Sequence, residues 1–76
     1  MTQTEFLAHV DDVLELESGT VQLDDDLESH GWSSLSRVSF IAMVDEEFGL
    51  EVSGRDLAQC VKVRDLLQFV NGKLEG

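Results

Sequence analysis

No proline interrupts the sequence, and no glycine- or serine-rich stretch divides it. With 76 residues and no linker, one domain spanning residues 1–76 is expected. Cys60 is the only cysteine, so no disulfide can form within the chain, and a reducing compartment fits. No apolar run approaches the roughly 18 residues that a membrane-spanning helix needs. The first residues lack both the basic start and the apolar core of a secretory signal. A cytoplasmic protein with no membrane insertion is therefore expected.

Positive charge is scarce. The chain has 16 Asp and Glu against 5 Lys and Arg, a formal net charge of -11, and no Lys or Arg precedes Arg37. Such a surface repels nucleic-acid phosphates and anionic headgroups, so no nucleic-acid partner is expected. It would steer the protein toward basic patches on other proteins, at a rate that falls with salt. The same charge also serves simply to keep a small protein in solution. Apolar residues reach 42%, too many for a disordered acidic tail. A domain of this size buries only about 60% of its unfolded surface. So thin a core gives little room for a deep catalytic cleft and favours a binding or carrying module.

Periodicity and caps mark four helices. The first is expected at Thr4–Leu16, with Phe6, Val10, Val13 and Leu14 on one face and a Thr2–Glu5 capping box before it. Ser18 and Gly19 then end the pattern. A long connection, residues 17–32, follows, in which Val21, Leu23 and Leu27 are spaced as anchors of an ordered loop. The second helix is expected at Ser34–Phe48, between Ser33 as N-cap and Gly49 as C-cap. Its expected stripe is Leu35, Val38, Ile41, Ala42, Val44 and Phe48; Phe40 and Met43 make the helix apolar beyond one face, so part of it is expected to be exposed for binding. A short third helix is expected at Gly54–Cys60 after Ser53. A fourth is expected at Val63–Lys73, with Val63, Leu66, Leu67, Val70 and Leu74 on one side and Gly72 weakening its end. Val21-Gln22-Leu23 is too short to require a sheet. The fold class is all-α: a small four-helix bundle with a long loop between helices 1 and 2 and a short third helix.

From Gly31 to Val70 the sequence resembles the acyl carrier proteins and their peptidyl-carrier relatives. In that family a Gly-x-Asp-Ser-Leu box opens the second helix; here it reads Gly31-Trp32-Ser33-Ser34-Leu35. The following Val38, Phe40, Ile41 and Val44, with the run Asp45-Glu46-Glu47-Phe48-Gly49, resemble the family's recognition helix and its acidic end. Val52, Leu57 and Cys60, then Val63, Leu66, Leu67 and Val70, are similar to the remaining family positions without a gap. The first 30 residues agree in pattern alone. A Trp before the box resembles a bacterial subgroup whose box reads Trp-Asp-Ser-Leu.

The resemblance implies that Ser34 carries a phosphopantetheine arm derived from coenzyme A, with acyl or aminoacyl cargo held on its thiol as a thioester. It implies a phosphopantetheinyl transferase as one partner, and acyl-loading and acyl-transferring enzymes with basic docking patches as others. Fatty-acid and polyketide biosynthesis both use such carriers, which work as monomers. Leu35, Val38 and Trp32 near the arm, and Asp45, Glu46 and Glu47 further along, are the candidate partner contacts. No catalytic residue and no metal site is implied. Two departures stand out. Ser33 replaces the family's aspartate, keeping the cap but not the charge that the transferase contacts. Ser36, Arg37 and Ser39 dilute the acidic face expected early on the second helix.

Physical chemistry suits the assignment. A serine at the first position of a helix is exposed on a rigid element. The phosphodiester it would bear meets unpaired N–H groups and the positive end of the helix dipole, an interaction of about 0.3–1 kcal/mol at an exposed site. Each residue also has an ordinary reading. Ser34 is a common helix-start serine, Trp32 a loop aromatic laid over the core, and Asp45–Glu47 a solvated face. Asp24, Asp25 and Asp26 lack the glycine and distal glutamate of a calcium loop. His9 and His30 have no ligand at metal spacing, and Cys60 reads as core. An alternative remains open: a carrier-like fold without modification, serving as an acidic docking or regulatory module. A small enzyme has no motif in its favour.

Overall fold

Three serine or threonine caps divide the chain. In the computed structural model, which describes residues 2–75, Thr2 Oγ1 accepts the Glu5 N–H at 3.1 Å and opens α1, Gln3–Val13. Ser33 Oγ accepts the Ser36 N–H at 3.4 Å and opens α2, Ser34–Phe48. Ser53 Oγ accepts the Asp56 N–H at 3.2 Å and opens α3, Gly54–Leu57. The last helix, α4, Val63–Glu75, is capped from inside: Asp65 accepts the N–H groups of Val61 and Lys62, each at 3.0 Å. Those two bonds hold the Asp65 carboxyl below the usual carboxylate range. A short 3-10 turn, Leu27–His30, lies within the long connection.

The bounds of α2 agree with the sequence reading, and the others shift. α1 stops at Val13, three residues short of Leu16, because Glu15 adopts a left-handed φ of 59°. The Glu15 and Leu16 N–H groups then return to Asp12 O (3.1 Å) and Asp11 O (2.8 Å), a Schellman closure with glutamate where glycine is usual. α3 ends at Leu57, so Cys60 lies in the following turn, where its N–H meets Leu57 O at 3.0 Å. α4 runs through Gly72 to Glu75, a tolerance that fits the modest helix penalty of one glycine.

The core draws on every segment. Phe6 and Val10 of α1, Phe40 and Val44 of α2, Leu57 of α3, and Val63, Leu66 and Val70 of α4 are buried together with Val21 and Leu27 of the connection. Burial of each such side chain contributes about 1.5–3 kcal/mol. Phe40, outside the expected stripe, is wholly buried, edge-on to Phe6 at 6.1 Å and to Trp32 at 5.9 Å. Leu35, Val38 and Ala42, expected in the stripe, are exposed instead. Apolar residues surround α2 on most sides, and the two aromatic contacts decide which side turns inward. Leu74, expected on the core side of α4, is 45% exposed, beyond the last core contact at Val70.

The acidic connection is tied at both ends. Asp11, 1% exposed, accepts the Gly19 and Val21 N–H groups at 2.9 Å each. Further on, Leu27 N–H donates to Val61 O (2.9 Å), Val63 N–H to Asp25 O (3.1 Å) and Arg64 N–H to Leu23 O (3.0 Å). All three aspartates have partners: Asp24 pairs with Arg64, Asp26 with Lys62 at 3.3 Å, and Asp25 with His30 at 2.8 Å.

Candidate functional site

The chain enters α2 through a sharp change of direction. Gly31 sits at φ 78°, and a side chain there would meet nothing within 4 Å, so the left-handed backbone and not space asks for glycine. Trp32 N–H then donates to Leu27 O at 3.2 Å, while its half-buried ring stands edge-on to Phe40 at an interplanar angle of 72°. Ser33 follows in extended backbone, φ -138° and ψ -178°, as the N-cap. Ser34 is therefore the first residue of α2, with an exposed side chain fixed from behind by the helix and from in front by the anchored tryptophan.

The neighbouring serines face other tasks. Ser33 and Ser36 hydroxyls lie 3.4 Å apart, and Ser36 Oγ donates to Gly31 O at 3.5 Å, so both serve the turn. Ser34 Oγ instead accepts a hydrogen bond from the Arg37 guanidinium at 3.0 Å. The sequence reading took Arg37 as dilution of an acidic face and missed this contact. Its three-residue spacing from Ser34 was the available signal.

Leu35 is 76% and Val38 62% exposed, and at 100° per residue they share one face of α2 with Ala42, Asp45 and Glu46. That face is apolar near Ser34 and acidic toward its far end. Glu47 is exposed as well, but with Glu46 it borders a shallow cleft toward Asp12 and Glu15 at the end of α1. Trp32 is brought near Ser34, although its ring contributes mainly to packing.

On the other flank of Ser34 an open groove of about 580 Å³ runs between the 3-10 turn, the start of α2 and α3. Leu27, Trp32, Ser33, Arg37, Leu57 and Cys60 contribute to its walls. Burial pushes the Cys60 thiol up, with Asp65 and Asp56 adding to the effect, so it stays protonated and is a poor nucleophile near neutrality. Among the described residues no helix is long and apolar enough to cross a membrane.

A small helical bundle that presents a serine hydroxyl at the start of its second helix has the architecture of a carrier. A family model for the phosphopantetheine attachment site matches residues 4–70, and the chain belongs to that family. The match reaches back through α1, where the sequence alone shows agreement in pattern only. Proteins of this family carry a phosphopantetheine group covalently and act as carriers for partner enzymes. No curated protein matches the chain.

Proposed function

We propose that the chain is an acyl carrier protein whose Ser34 receives the phosphopantetheine arm. It would hold acyl or aminoacyl intermediates for enzymes of fatty-acid, polyketide or related biosynthesis. The observation that carries this reading is the exposed Ser34 hydroxyl at the first residue of α2, within the matched region. In the loading step Ser34 Oγ forms a bond to the β-phosphorus of coenzyme A. The bond from that phosphorus to the adenosine bisphosphate breaks, and the hydroxyl proton passes to a base on the transferase. The arm, once attached, supplies a thiol for thioester formation. The chain's own residues supply address and reach: Ser34 the tether, Leu35 and Val38 an apolar contact for partners, and Asp45, Glu46 and Glu47 an acidic one for basic patches. We assign the chain no catalytic group of its own. Its lone half-buried thiol suits a reducing cytoplasm.

Ser33 is the observation on the other side. It offers the helix a neutral cap where the family has a carboxylate, which suits a docking module that is not modified. Intact-protein mass decides between the two. The purified chain is incubated with coenzyme A and a broad-specificity phosphopantetheinyl transferase, with Ser34→Ala alongside. A gain of one phosphopantetheinyl group, absent in the variant, is expected. Loading of Ser34→Ala would move the site elsewhere, and no gain with several transferases would leave the unmodified module.

A further inference from the structure

Arg37 is the first cation in the chain, and among the described residues it enters none of the ion pairs. Lys62 and Arg64 pair with carboxylates of the connection, while Arg55 and Lys73, like Arg37, stand outside these pairs. What sets Arg37 apart is its partner: its guanidinium donates to Ser34 Oγ at 3.0 Å. Resting on the carrier reading above, we infer that Arg37 is the positioning residue for the phosphate of the arm. Once Oγ is esterified it loses its proton and becomes a weaker acceptor. The anionic non-bridging oxygens of the phosphate would lie two bonds beyond Oγ, on the side to which the same guanidinium already reaches. A planar fork of donors suits two of them at once. The start of α2 adds N–H groups and its positive dipole end on the helix side.

The departure at Ser33 belongs to the same arrangement. Ser33, the N-cap, and Arg37, in the first turn of α2, border the same groove, so a carboxylate at position 33 would stand near the guanidinium. An aspartate at the N-cap would draw the guanidinium away from Ser34 and place a negative charge beside the phosphate. Serine caps the helix and leaves Arg37 to the arm. Arg37 also borders the groove beside Trp32 and Cys60, so it draws the phosphate to that flank of α2, away from the exposed Leu35–Val38 face.

The test uses the loaded protein. Loading of the unaltered chain is followed first by intact mass, and then the Arg37 Nε–H signal and the phosphorus relaxation are read by NMR. Loading should move the Nε–H signal downfield and slow its exchange with water. Arg37→Gln should lower the ratio of held to free arm by roughly two- to fivefold, the range of an exposed ion pair, seen as a narrower phosphorus line. Arg37→Lys should retain part of the effect, and Ser33→Asp should resemble Arg37→Gln. An Nε–H signal unmoved by loading, or equal phosphorus relaxation in Arg37→Gln and the unaltered protein, would overturn the role of Arg37 while leaving the carrier reading in place. Failure of the unaltered chain to load would overturn both, and mass would show it before any spectrum. Should Arg37→Gln alone fail to load, the Nε–H signal of the unaltered protein decides.

Discussion

Asp11 Oδ1 accepts the Val21 N–H at 2.9 Å, joining the last turn of α1 to a buried residue of the long connection. Its second oxygen takes the Gly19 N–H, so one carboxylate shapes the chain's exit from α1. Asp11→Ala strands a buried donor and should destabilise the protein by about 1–3 kcal/mol. Asp11→Asn keeps one acceptor and should lose less. Urea unfolding measures both, and a cost for the alanine variant below about 0.5 kcal/mol would show that water replaces the carboxylate.

Glu15 occupies a left-handed conformation at φ 59°. The strain for a non-glycine residue there is about 1–2 kcal/mol, partly offset because glycine loses more freedom on folding. Glu15→Gly should therefore stabilise the fold by about 0.5–1 kcal/mol, visible as a higher thermal midpoint. An unchanged or lower midpoint would mean the glutamate side chain makes up the strain elsewhere.

The two faces of α2 should respond in opposite ways. Phe40→Leu keeps an apolar core side chain but loses edge-to-face contacts with Phe6 and Trp32, each worth about 0.5–1.5 kcal/mol. Leu35→Ala and Val38→Ala should stay within about 0.5 kcal/mol of the parent, as exposed substitutions do. Their effect should appear in the rate of acyl transfer to a partner enzyme, measured on loaded protein.

Acid should loosen the fold through two particular carboxylates. Asp25 is held below the usual range by the His30 hydrogen bond and then the Gln22 N–H, and Asp65 by the Lys62 and Val61 N–H groups. A carboxyl depressed in the folded state adds stability above its unfolded value, near 4, and that stability is lost as pH falls through the folded value. Unfolding free energy followed between about pH 6 and pH 2 should fall below about pH 4. Asp65→Asn should flatten that fall relative to the parent. Parallel curves would remove Asp65 as a contributor.

Ser33→Asp should speed loading by a standard transferase, because it restores the charge found in the family's box. Initial rates from mass spectra give the answer, and equal rates would show that this charge has no role in recognition here. Read beside the phosphorus relaxation, the substitution separates what helps attachment from what holds the arm afterwards.

α2 could be read from the sequence to the residue because both of its ends carry explicit signals, Ser33 and Gly49. The box singled out Ser34, and its place in the first turn accounts for its exposure. The end of α1 was hidden because glutamate gives no hint of a left-handed backbone. The inward side of α2 was hidden because apolar residues surround the helix, and only contacts with Phe6 and Trp32 select Phe40. Asp11 reads as solvent-facing until the connection folds back on it. The partners of Asp24 and Asp26 lie about 40 positions away, at Arg64 and Lys62, beyond any local pattern.

The unbroken run of α2 from Ser34 to Phe48 sets a fixed spacing along its length. At 1.5 Å per residue the hydroxyl stands roughly 16 Å along the axis from Asp45. On the proposed reading, an enzyme that grips the acidic end meets the tether at a fixed offset and a fixed angle. One residue inserted between them would lengthen the offset only slightly but swing the tether about 100° around the axis. Spacing along this helix is therefore less forgiving than the identity of most side chains on its outer face.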